Sequence, residues 1–222
     1  MKISTLKSLL ICLGLFCVTL VYAQKAETPD FKYEVGAKIN DMTITQGGTM
    51  VVATNDGLVG IKPDRNELLF NFTDYGKVKP DELFFVPGAP YVIVGQTGFG
   101  SLTTKKAVID YMSGKKLFST EDNGWKAIGS CNVMMPQNKL VVSGQRRASE
   151  KYTQALAIYD LDSGEQVSFM KFKGSETVVG RPLLFENSVI VPTSKGLLKI
   201  DLNSGNTLWK NELKNVGWMA TD

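Results

Sequence analysis

The sequence predicts an all-β chain: a β-propeller of four-stranded antiparallel blades, with about four blades present in an incomplete ring. Two observations carry this. After residue 30, short apolar runs alternate with clusters of Gly, Asn, Asp and Ser, and no window holds a helical period. One hairpin pattern also recurs along the chain. It is clearest at Gly196–Trp209 and weaker at Ala155–Ser168, Lys105–Phe118 and Gly57–Phe70.

Aligned on Asp201, the copies place Asp160, Asp110 and Lys62 in register, at intervals of 41, 50 and 48 residues. Four positions later stand Gly205, Gly164, Gly114 and Asn66. A three-residue hairpin turn needs a residue at positive φ there, which Gly supplies and Asn tolerates. Four positions further come Trp209, Ser168, Phe118 and Phe70, three of them large aromatics suited to wedge between neighbouring sheets. The aspartates are expected to hydrogen-bond the turn backbone.

Each hairpin is preceded by two more strand-like runs: Met42–Thr45 and Met50–Thr54, Glu82–Val86 and Tyr91–Gly95, Ser130–Met135 and Lys139–Ser143, Arg181–Glu186 and Ser188–Thr193. Four short strands every 40–50 residues make one blade. The blades are expected at about 39–73, 80–120, 128–171 and 179–213. Val216–Ala220 aligns with Val179–Leu183, so the start of a fifth blade is expected at 216–222 and the chain reads as a fragment.

Residues 1–23 read as a secretory signal peptide. Lys2 and Lys7 form a basic start, Ser8–Val21 is almost wholly apolar, and Ala23 offers a small residue at the cut. A transmembrane anchor is the competing reading, but the run is short for a span. Residues 24–30 are then a linker, 31–222 the partial propeller, and the mature chain has no transmembrane span. Cys12 and Cys17 follow Ile11 and Phe16, not the small residue that lipidation requires.

Composition removes several functions. Losing Lys2 and Lys7 lowers the net charge of +3 to about +1, too weak a field to gather nucleic acid. The mature chain keeps one cysteine, Cys131, so it holds no intrachain disulfide. It contains no histidine, which excludes His-dependent nucleophilic triads and His-ligated zinc or haem from this chain.

The hairpin resembles the tryptophan-docking motif of pyrroloquinoline-quinone-type propellers. Asp201, Ser204, Gly205 and Trp209 match its key positions, while Lys199 stands where that motif has a small residue. Asp110, Ser113, Gly114 and Phe118 match less fully, as do Asp160, Ser163 and Gly164, and the first copy keeps only Phe70 and the turn. The resemblance spans about residues 31–222. The Gly-His and Trp-Asp signature of WD40 repeats and the paired glycines of kelch repeats are missing. The resemblance implies one of two functions. One is a non-catalytic scaffold binding an envelope protein or extracellular ligand, periplasmic or extracellular, with no cofactor. The other is the N-terminal part of a quinone-dependent (PQQ) dehydrogenase, with PQQ and calcium. The dehydrogenases hold the quinone with adjacent cysteines and an acidic calcium site, which this sequence lacks, so the scaffold reading is preferred.

The candidate partner face carries the connections between second and third strands. These read as long loops in two blades, Gln96–Lys105 and Gln145–Thr153. With the connection Glu121–Lys126 they offer Phe99, Trp125, Arg146, Arg147 and Tyr152, residue types enriched at binding hot spots. No catalytic, cofactor or metal residues are assigned. Intact-mass spectrometry of protein recovered from the producing cells should give a chain beginning at Gln24. A chain retaining residues 1–23 would refute the signal peptide.

Overall fold

The computed structural model describes residues 32–65, 67–97, 104–148 and 150–213. The chain divides into two units, Met1–Glu34 and Val35–Asp222. Of the first, only 32–34 are described, where the Lys32 ammonium meets the Glu34 carboxylate at 2.9 Å. The fold is that of the second.

Its described residues form four separate antiparallel sheets, each a meander of four strands. Blade one holds β1 (Ile39–Ile44), β2 (Met50–Thr54), β3 (Leu58–Lys62) and β4 (Glu67–Phe72). Blade two holds β5 (Leu83–Phe85), β6 (Tyr91–Thr97), β7 (Thr104–Asp110) and β8 (Lys116–Ser119). Blade three holds β9 (Trp125–Met134), β10 (Lys139–Ala148), β11 (Lys151–Asp160) and β12 (Gln166–Lys171). Blade four holds β13 (Leu183–Phe185), β14 (Ser188–Thr193), β15 (Gly196–Asp201) and β16 (Thr207–Glu212). Each repeat thus supplies one four-stranded blade of an all-β propeller. Residues 216–222, the expected start of a fifth blade, lie outside the described residues.

Side chains alternate across a strand, so each strand serves two interfaces. Val51, Ala53, Leu58 and Phe70 of blade one pack with Val92, Val94, Ala107 and Ile109 of blade two. The intervening Ile93 and Val108 point the other way and meet Leu140, Val142, Ala157 and Tyr159 of blade three. Val141, Leu156 and Ile158 then meet Val189, Val191, Leu198 and Ile200 of blade four. Residues used on both faces explain why the strands read as unbroken apolar runs rather than as a polar–apolar alternation.

The turn aspartates cap their hairpins as the sequence suggests. Asp201 Oδ1 accepts from the Asn203 amide at 3.1 Å, the Ser204 amide at 2.7 Å and Ser204 Oγ at 2.9 Å. Asp160 accepts from the Asp162 and Ser163 amides, both at 2.9 Å. Asp110 accepts from Met112 N at 2.8 Å and Ser113 Oγ at 2.6 Å. The Lys139 ammonium also grips Asp160, and with the turn donors it holds that carboxyl down at about 2.

Two of the turn glycines, Gly114 and Gly205, have a second duty, since they abut the motif residue of the preceding blade. Gly114 has φ +75°, and a Cβ there would lie 2.6 Å from the Leu69 carbonyl oxygen and 3.1 Å from Phe70 Cβ. At Gly205, φ +71°, it would lie 2.2 Å from Ser168 Cβ. Turn conformation and blade-to-blade distance are therefore fixed by the same residue. An ion pair on a buried carboxylate adds a tie at blade four. Glu176 Oε1 accepts from Thr193 Oγ1 at 3.0 Å and from the Lys210 ammonium at 3.1 Å, joining the blade-three exit to β16.

The motif aromatics divide. Phe70 and Phe118 wedge between blades, and the Phe118 ring lies 5.0 Å from that of Tyr159. Trp209 departs from the wedge expectation. It is 39% exposed, because it points to the face of blade four that no described residue covers. Phe118→Ala should therefore cost about 3–5 kcal/mol by cavity formation. Trp209→Ala should cost about 1 kcal/mol or less. Urea unfolding of both variants checks this, and equal losses would mean that the outer face of blade four is covered in solution.

Candidate partner-binding face

The second-to-third connection of blade three is not a loop. Strands β9, β10 and β11 each run ten residues, and the β10–β11 ladder continues to Ala148 opposite Lys151. Most of the segment Gln145–Thr153, expected as a long loop, is strand: Gln145–Ala148 and Lys151–Thr153 are the paired ends of a β-ribbon. Its polar sequence lacks the apolar alternation by which strands are recognised. The ladder itself carries it: Gln145 pairs with Gln154, Arg146 with Thr153 and Arg147 with Tyr152. In blade two, β6 and β7 likewise extend to Thr97 opposite Thr104. Phe99 lies outside the described residues.

Alternation gives this arm two faces. Arg146 is on the inner one, and it is not a free surface anchor. Its guanidinium carbon lies 4.7 Å from the Phe169 ring centroid and 5.5 Å from that of Trp125. Its Nε donates to the Asn123 carbonyl at 2.9 Å and its Nη1 donates to Gln166 Oε1. A cation beside two aromatic rings, with two of its donors used, is a structural clamp. Trp125 also leaves the exposed set. It is 5% exposed, and its Nε1 donates to the Tyr159 hydroxyl at 3.0 Å. Burial pushes the Tyr159 phenol up, so it stays a neutral partner.

Arg147 and Tyr152, cross-strand neighbours, occupy the outer face. Tyr152 is 52% exposed, and the Lys126 ammonium lies 5.1 Å from its ring centroid. Arg147 is exposed, and its amide ties the arm to Gly124 by donating to that carbonyl at 3.1 Å. Of the five candidates, then, two are brought together on an exposed surface, two are built into the clamp beneath it, and one lies outside the described residues. The sequence reading missed Lys126, Phe169 and Gln166. Phe169 directly follows the motif position Ser168, so alternation alone would have turned it toward the other face of blade three.

A second concavity lies on the inner wall of the blade array. It is a cleft of about 850 Å³ between the innermost parts of blades two, three and four, lined by Phe84, Val133, Met135, Leu183, Leu184 and Arg181 among others. Among the described residues, no three metal-ligating side chains converge. Among them also, no helix is long and apolar enough to cross a membrane.

Fold and site together define an all-β propeller array bearing a rigid, exposed β-arm. The structure is similar to that of BamB from Moraxella catarrhalis, at 12% identity and a TM-score of 0.42, over 82% of this chain and 49% of that one. It is similar to a eukaryotic initiation factor, at 14% identity and 0.49, over 85% and 48%. It is also similar to the WD40 domain of coronin from Toxoplasma gondii, at 12% and 0.40, over 77% and 44%. At such identities the likeness concerns the fold alone, and the chain spans about half the length of these structures. No protein-family model and no curated protein matches the sequence.

The clamp has a measurable consequence. Arg146→Met keeps the apolar stem but removes the cation and its donors, and should destabilise the protein by about 1–3 kcal/mol. It should also speed proteolytic nicking where the ladder ends, beyond Ala148 and Lys151. Arg146→Lys should restore little, since an ammonium cannot serve both flat faces and two separate acceptors. Urea unfolding and limited proteolysis of the two variants check this, and full rescue by lysine would exclude the clamp.

Proposed function

We propose that the protein is a non-catalytic binding scaffold that engages a protein partner through the outer face of the blade-three arm. The supporting observation is the arm itself. Its backbone is held by a continuous ladder and a clamped arginine, while Tyr152, Arg147 and Lys126 share its exposed side. A rigid aromatic with neighbouring cations is the residue set that anchors protein interfaces at low entropic cost. The chain is read as exported through residues 1–23 and working in the cell envelope or outside the cell. The motif at Asp201–Trp209 supports the reading as a quinoprotein-type repeat without a cofactor.

A photocrosslinking residue placed at Tyr152 of the full-length protein, expressed with its own leader, tests the proposal. A discrete adduct should form at Tyr152 and disappear with Arg147→Ala at unchanged stability. A residue at Lys62, at the end of β3 in blade one, serves as control. Absence of an adduct at Tyr152, or the same adduct from both positions, would refute the arm as the partner site.

A further inference from the structure

The inner wall of blades two to four carries a feature the arm does not use. The innermost strands of a propeller face its axis, where side chains normally meet others or water. Here they meet across a cleft of about 850 Å³, within the range of small-molecule sites. Its walls are apolar: Phe84 from blade two, Val133 and Met135 from blade three, Leu183 and Leu184 from blade four. Phe84 is 50% exposed, so a large ring is presented to the cleft without a structural partner to bury it.

One charge stands in that lining. Arg181 is exposed, and among the described residues it makes no hydrogen bond or ion pair, while no carboxylate lines the cleft. An arginine elsewhere in this fold shows what a structural role looks like: Arg146 has two aromatic rings beside it and two of its donors engaged. Arg181 has none of these. Its planar fork is suited to a bidentate carboxylate, and the adjoining apolar wall offers burial to whatever that carboxylate is attached to. A second cation is close by. Lys106 acts electrostatically on Cys131, which lines the cleft.

We propose that this inner cleft binds a small amphipathic carboxylate, with the carboxylate on Arg181 and the apolar body against Phe84 and Leu183. The requirement for both parts follows from the lining. An apolar molecule without the anion leaves the guanidinium unanswered, and an anion without an apolar body gains nothing from the walls. Decanoate meets both conditions and serves as the probe.

Isothermal titration of the full-length protein with decanoate should show saturable one-site binding in the micromolar to low-millimolar range, below the concentration at which the probe forms micelles. Decanol, which keeps the apolar body and lacks the charge, should bind at least about tenfold more weakly. Arg181→Gln should weaken decanoate by about tenfold or more and leave the melting temperature unchanged, because the side chain has no structural partner. Phe84→Ala should weaken decanoate and decanol alike, which separates the apolar wall from the charge. Absence of saturation overturns the proposal, as does equal affinity for decanol, or undiminished affinity in Arg181→Gln. The site is remote from Tyr152 and Arg147 along the fold, so failure here leaves the arm reading untouched, and loss of the arm's partner leaves this one untouched.

Discussion

A four-stranded sheet that is apolar on both faces has no stable existence in water by itself. That constraint governs the rest of the molecule. Val92 and Val94 face one neighbour while Ile93, between them, faces the other, so each blade is complete only when flanked on both sides. Burying such aliphatic side chains contributes about 1.5–3 kcal/mol each, far more than any hairpin turn or surface ion pair can add. The order of the blades, their spacing and the position of every loop follow from satisfying this requirement repeatedly along one chain.

The blades must also meet at a fixed distance, and here a backbone feature takes over from bulk hydrophobicity. Gly114 and Gly205 sit where a Cβ would strike the preceding blade, at 2.6 Å from Leu69 O and 2.2 Å from Ser168 Cβ respectively. The aspartate four residues before each one folds the turn that delivers the glycine to that spot. Asp, Gly and motif residue thus form one mechanical unit across two blades. Blade four shows the unit without its far half, since Trp209 stands in place on a face that no described residue covers. The same logic of uneven completion places function. Where the array is saturated, side chains are consumed by packing. Where strands outrun the blade or line the axis, residues such as Tyr152 and Arg181 remain available.

Much of this was legible in the chain. The repeat interval, the positive-φ turn residue and the recurrent apolar runs specify four-stranded units, because turn stereochemistry and strand periodicity are local properties. Strand limits such as Met50–Thr54 and Ser188–Thr193 emerge unchanged. The expected loop Gln145–Thr153 did not, because its residues are polar and strand formation there comes from cross-strand hydrogen bonds to a neighbour, which composition does not encode. Trp125 and Arg146 were placed on the surface for the same reason. Indole and guanidinium look alike in sequence whether they face solvent or each other.

What the sequence determined by itself is therefore the all-β class, the blade unit, and the turn chemistry of Asp160 and Asp201. The tertiary structure decided which alternating face each residue joins, that Phe118 is a wedge while Trp209 is not, and that Arg146 clamps an arm whose other side bears Tyr152. It also decided that residues some fifty positions apart, Phe84, Val133 and Leu183, line one cleft. The physical reason is range. Backbone torsions and turn hydrogen bonds act over a few residues and are written in order, whereas packing and electrostatics act through space, between segments that the chain keeps far apart.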